Sequence, residues 1–208
     1  MNALRHREDT SGWRPRHPIV CILNVIGFAI TVSLMFRYRL TPATGCLLFV
    51  IAPQYVVSCV YHWVPKNELV SKIDRSVIFL LIGATYVAYW GTFLPPEVAL
   101  FRLQLVEIVV VVGVALVLGG ASSILIGILW TLFAGAGPFI SYSLLLHSLS
   151  LHALIAFWIS VFFYGGHQLV FALKYPDPVP ELFGYTEVRH VFLIFATTMN
   201  SMVVLQYT

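Results

Sequence analysis

The chain alternates long apolar runs with short polar, glycine- or proline-containing breaks, and the runs recur from Pro18 to the C-terminus. Crossing a hydrocarbon core of roughly 30 Å takes about 20 helical residues. Hydropathy and helix breakers together predict helices over 18–36, 42–64, 76–94, 98–118, 121–146, 151–173 and 187–206. The fifth carries Gly135-Ala136-Gly137-Pro138 in its middle. Proline removes a backbone donor there and kinks the helix, which membrane helices tolerate when neighbours satisfy the freed carbonyl. Dividing that run would leave two pieces too short to cross, so one kinked helix is expected. Tyr175–Thr186 is the long polar loop, and no internal repeat or low-complexity tract interrupts the pattern.

Composition turns the pattern into a class. Of the 208 residues, 59% are hydrophobic and 10% charged, and the mean hydropathy is +0.88. A soluble domain carries about 25% charge. An ordinary globular domain, a disordered chain and a nucleic-acid binder are excluded. The expected architecture is all-α: a polytopic membrane protein whose seven-transmembrane helix bundle (18–206) follows a cytoplasmic tail (1–17).

The net charge of +3 needs no acidic partner, because its distribution sets orientation. Arg5, Arg7, Arg14 and Arg16, Lys66, Lys72 and Arg75, and Lys174 make eight on one side. Arg37, Arg39 and Arg102 make three on the other, which places the N-terminus in the cytoplasm. The first run ends in Arg37-Tyr38-Arg39 with no small-residue cleavage pattern, so it reads as a retained anchor. Cys21, Cys46 and Cys59 lack C-x-x-C spacing and read as small core residues.

Parity then gathers the chemistry. The second helix ends, the third begins, the sixth ends and the seventh begins on one side of the membrane. His62, Asp74, Glu187 and His190 therefore reach the cytoplasmic leaflet. Ser58 and His62 are four apart and share a helical face, and Thr186 and His190 repeat the spacing. Imidazoles converging from different helices beside a carboxylate are the ingredients of a zinc site that holds a water. The plainer reading is interfacial histidines bonded to loop carbonyls. Glu107, near the middle of the fourth helix, is a separate signal, because an intramembrane carboxylate is a functional candidate by default. Arg102, five positions away and about 140° around the helix, is poorly placed to pair with it. The glycines at 119–120, 135/137 and 165–166 read as close-packing positions.

Ser58-Cys-Val-Tyr-His62, then Asp74 followed by Ile78-Phe-Leu-Leu-Ile-Gly-Ala-Thr-Tyr86, resembles the second and third helices of hemolysin III-type proteins. Pro176-Asp-Pro-Val-Pro-Glu-Leu-Phe-Gly184-Tyr-Thr-Glu-Val-Arg-His190 resembles the loop and seventh-helix start of the same family. That family belongs to the superfamily of adiponectin and progestin receptors, distantly related to alkaline ceramidases. Helices four to six match only weakly. The resemblance implies metal ligands at His62 and His190, an aspartate, Asp74, holding the zinc-bound water, and a helix-two serine, Ser58. It also implies a bacterial cytoplasmic membrane as the location.

This chain departs from the family's His-x-x-x-His in the seventh helix, where Thr186 stands at the first position. A neutral hydroxyl is a poor zinc ligand beside imidazole, carboxylate or thiolate. Smaller departures are Arg75, in place of a histidine, and Ala88, in place of a proline. Glu187 and His167 are the candidate substitute ligands. His147 and His152 belong to the opposite leaflet, and His17 precedes the first helix and is the weakest candidate.

The leading expectation is a hemolysin III-like membrane protein with a cytoplasmic-side zinc-type pocket, degenerate at one ligand, that affects membrane lipid state or permeability. Cytolysis is implied by the family name only. The alternative is a zinc-dependent intramembrane hydrolase of lipid amides or esters, with Asp74 and Ser58 catalytic. A weaker alternative is a proton-coupled transporter using Glu107. Membrane lipids are the expected partners, one of them a substrate or ligand.

Overall fold

A computed structural model describes residues 17–140, 146–179 and 182–207. Expectations about the tail before His17 and about residues 141–145 lie outside the described residues. The described residues are 84% helical, with no strand among them. The helices are α1 (Pro18–Arg37), α2 (Pro42–Trp63), α3 (Glu68–Phe93), α4 (Pro96–Leu118), α5 (Ser123–Ile140), α6 (Leu151–Leu173) and α7 (Tyr185–Leu205). Six of them, all but α5, are long and apolar enough to cross a membrane, whereas the apolar helix Ser123–Ala136 is shorter. This is an integral membrane protein.

Local chemistry explains the helix starts. Pro18, Pro42 and Pro96 occupy the first turn of α1, α2 and α4, where a missing N–H costs nothing. Thr41 and Thr44 cap α2 reciprocally, and the Ser150 hydroxyl accepts from the Ala153 N–H at the start of α6. The start of α3 differs from the hydropathy reading, which began it at residue 76. Asn67 accepts from the Val70 N–H at 3.1 Å, and Lys72 pairs with Glu68 one turn back at 2.9 Å. These polar devices extend α3 by two turns beyond its apolar stretch. Asp74 therefore sits inside the helix, not ahead of it.

Successive helices α1–α2, α2–α3, α3–α4 and α6–α7 pack as neighbours, and α7 returns onto α1 and α2. The interior belongs to α2, α3 and α7, whose spans are 50%, 50% and 56% buried, against 17% for α4 and for α6. Large apolar side chains such as Phe36, Phe101, Ile124 and Phe162 face outward, as a hydrocarbon solvent allows. One tyrosine fixes the register of three helices. The Tyr55 ring lies so close over Gly27 of α1 that no Cβ would fit there. Its hydroxyl donates to Thr197 Oγ1 on α7 at 2.6 Å, while the Thr197 hydroxyl is itself committed to the Leu193 carbonyl at 2.9 Å.

Candidate functional site

One turn beyond Tyr55, α2 presents Ser58 and His62 to α7, both buried. On α7 the His190 Nδ1–H donates to the Thr186 carbonyl one turn back, at 2.7 Å. That bond leaves the Nε2 lone pair to accept from the Ser58 hydroxyl, at 3.2 Å. Ser58 Oγ in turn accepts from the Asn24 side-chain amide of α1, also at 3.2 Å. Three helices thus contribute to one directed chain of hydrogen bonds, from Asn24 through Ser58 to His190. The His62 ring stands edge-on to His190, with centroids 4.9 Å apart and planes at 86°.

On the other side of His62 lies His17, the residue just before α1. Its ring is 5.2 Å from that of His62, at 85°. Its backbone N–H donates to the His62 carbonyl at 3.3 Å, and its Nδ1 meets Glu187 Oε1 at 3.1 Å. The second oxygen of Glu187 accepts from the Gly184 N–H at 2.9 Å, which closes the first turn of α7. A single buried carboxylate therefore both caps α7 and orients His17.

A cavity of about 1070 Å³ is lined by Ser58, Asp74 and His190, while His17, His62 and Glu187 stand behind its wall. Along α3 its lining runs from Glu68 to Trp90, about 33 Å of helix. Leu81, Ile82 and Phe157 make its wall apolar, and Gln54, Tyr164 and Asn200 interrupt that wall with polar groups.

No family model matches this chain, and no solved structure matches it.

The residues singled out from sequence fall into groups. Ser58, His62 and His190 are brought together as described, and Asp74 shares the cavity with Ser58 and His190. Thr186 supplies its backbone carbonyl to His190. Glu187 holds His17 and Gly184. His167 meets the Arg189 carbonyl with its Nδ1 at 2.9 Å, tying α6 to α7. Among the described residues, no three His, Cys, Asp or Glu side chains stand close enough together to hold a metal ion as they are arranged here. Glu107 is on the exposed face of α4, and Arg102 lies 5.6 Å from the centre of the Trp90 ring rather than with Glu107. Asn24 was not anticipated, although a lone buried asparagine in an apolar run is itself a signal. Cys21 donates to the Cys59 carbonyl at 3.6 Å, and all three cysteines are free thiols.

Proposed function

We propose that this protein spans the membrane seven times with its N-terminus in the cytoplasm, is of the hemolysin III type, and hydrolyses an amide or ester bond of a membrane lipid. At 18 residues, α5 is about 27 Å long, close to the thickness to be crossed. The observation that carries the reading is the cavity. It joins a hydrogen-bonded polar cluster at Ser58 and His190 to a long apolar channel, which is the shape of a lipid with its carbonyl near one end. The volume of about 1070 Å³ is just above the range of small-molecule pockets, about 300–1,000 Å³.

His62 and His190, two buried imidazoles from different helices, are the donors that would hold a zinc ion, two of the three protein ligands a catalytic zinc takes. When bound, the metal supplies Lewis acidity and a nucleophile at neutral pH. The protein's own groups do the rest. The Asp74 carboxylate accepts a proton from the attacking water and returns it to the amine or alkoxide leaving group as the scissile C–N or C–O bond breaks, a role worth about 10²–10⁴ in rate. The Ser58 hydroxyl donates to the oxygen on which negative charge develops, and loss of one such donor costs about 10²–10³. Asn24 holds Ser58 in place for that donation. The apolar wall around Leu81 and Phe157 takes the acyl chain and keeps bulk water out.

The test is purified protein in lipid–detergent micelles, offered phospholipids and ceramides, with released fatty acid measured by mass spectrometry. Asp74→Asn and Ser58→Ala should each lower turnover roughly 100-fold or more. Turnover that persists in a His62→Ala/Asp74→Asn double variant overturns the reading. Thr186 favours a second reading, in which the pocket alters membrane permeability without turnover. Release of a trapped dye from vesicles, undiminished by Asp74→Asn, would select it.

A further inference from the structure

The imidazole absent from position 186 has a counterpart at the start of α1. We propose that His17 joins His62 and His190 as the third ligand of a divalent-metal site, with Glu187 as the carboxylate that orients it. The inference rests on the metal-binding reading of the pocket and specifies which residues complete it.

Position comes first. His17 is fixed at the site by its own backbone, whose N–H donates to the His62 carbonyl at 3.3 Å. The Cys21 N–H closes the first turn of α1 on the His17 carbonyl at 3.2 Å. The ring is anchored as well as the backbone. Glu187, with its side chain 4% exposed, accepts from His17 Nδ1 and directs Nε2 away from itself. A carboxylate behind a ligating histidine is the usual outer support of a metal site, because it sets the tautomer and raises the basicity of the other nitrogen. The Thr186 carbonyl does the same for His190.

Spacing comes second. Two imidazoles bonded to one tetrahedral zinc at about 2.0–2.1 Å place their ring centres about 5 Å apart. The observed separations are 5.2 Å for His17–His62 and 4.9 Å for His62–His190. His62 stands between the other two rings, and the three do not form a metal-holding group as they lie, so binding also draws His17 and His190 together by turning the rings about their side-chain bonds, and exchanges the Ser58–His190 hydrogen bond for a metal bond. The other candidate ligands are engaged elsewhere. Both oxygens of Glu187 are used, and His167 is bonded to the Arg189 carbonyl.

The experiment uses the full chain in detergent, stripped with chelator and titrated with Zn²⁺, then with Co²⁺ to read coordination from its visible absorption. Wild type should bind about one ion per chain with the intense bands of tetrahedral Co²⁺. His17→Gln keeps an amide donor for Glu187, and with it the fold, yet should weaken binding roughly tenfold or more. Thr186→His in the His17→Gln background should restore affinity, because it returns an imidazole to the same site. If His17→Gln binds as wild type does while His62→Ala does not, the His17 proposal falls and the metal pocket stands. If wild type binds neither ion, both fall.

Discussion

Glu187 separates a structural role from a chemical one, because its two replacements break different bonds. Glu187→Ala removes the partner of His17 at 3.1 Å and the cap on the Gly184 N–H at 2.9 Å. A hydrogen bond to a charged group is worth about 1.5–3 kcal/mol, and an N-terminal cap about 1 kcal/mol. The sum, roughly 2.5–4 kcal/mol, lowers the melting temperature of a chain this size by roughly 5–16 °C. Glu187→Gln behaves otherwise. Its carbonyl still accepts from Gly184, while its amide N–H donates to His17 Nδ1, which must then be the unprotonated nitrogen. The proton moves to Nε2, where a metal ligand needs a lone pair. Stability should change by less than about 1 kcal/mol, while Zn²⁺ affinity drops roughly 10- to 100-fold. Tryptophan fluorescence on heating in detergent reads the first quantity, and metal titration reads the second. An alanine variant that melts with wild type refutes the link between α1 and α7. A glutamine variant that loses stability but not affinity refutes the tautomer argument.

Two further outcomes follow from the same bonds. Tyr55→Phe and Thr197→Val, measured singly and together, should show a coupling of about 0.6 kcal/mol, and no more than about 1.7 kcal/mol, as interhelical hydrogen bonds in membranes do; strict additivity in thermal unfolding would reject the Tyr55 staple. Glu107→Gln should leave proton flux in proteoliposomes unchanged, since Glu107 lies on the exposed face of α4, and a clear fall in flux would revive a transport role.

Much of this was legible in the sequence, for reasons that also mark its limits. Apolar runs without a polar face announce membrane helices because the bilayer asks only for length and hydrophobicity. The same indifference hides orientation about the helix axis. Around Glu107, α4 reads Leu-Val-Glu-Ile-Val, apolar on every side, so the pattern could flag the carboxylate without saying which way it faces. The early start of α3 was hidden because hydropathy weighs residues 68–75 as loop, although Asn67 followed by Glu68 and Lys72 is a helix start in capping chemistry. His17 was discounted for standing outside the apolar run. Its carboxylate partner lies 170 positions away, and no local pattern connects them.

Antiparallel geometry nonetheless contains the missing step. Helices α1 and α2 rise equally per residue and are joined by a short turn, so residues whose numbers add to about 80 lie level with one another. Cys21 meets Cys59, Asn24 meets Ser58, and the Tyr55 ring covers Gly27. By the same rule His17 must stand level with His62, and it does. The α6–α7 pair obeys a second such rule, which sets Gly166 against the Phe192 ring and His167 beside Arg189. Level, however, is not face. His17 and His167 both arrive at the height of the cluster, but the first has its ring against His62 and its Nδ1 on Glu187, whereas the second is spent on a backbone carbonyl. Counting residues back from a turn can therefore nominate both histidines as neighbours of His62 and His190. Only side-chain packing between the helices distinguishes them, and it favours the one that precedes the first membrane helix.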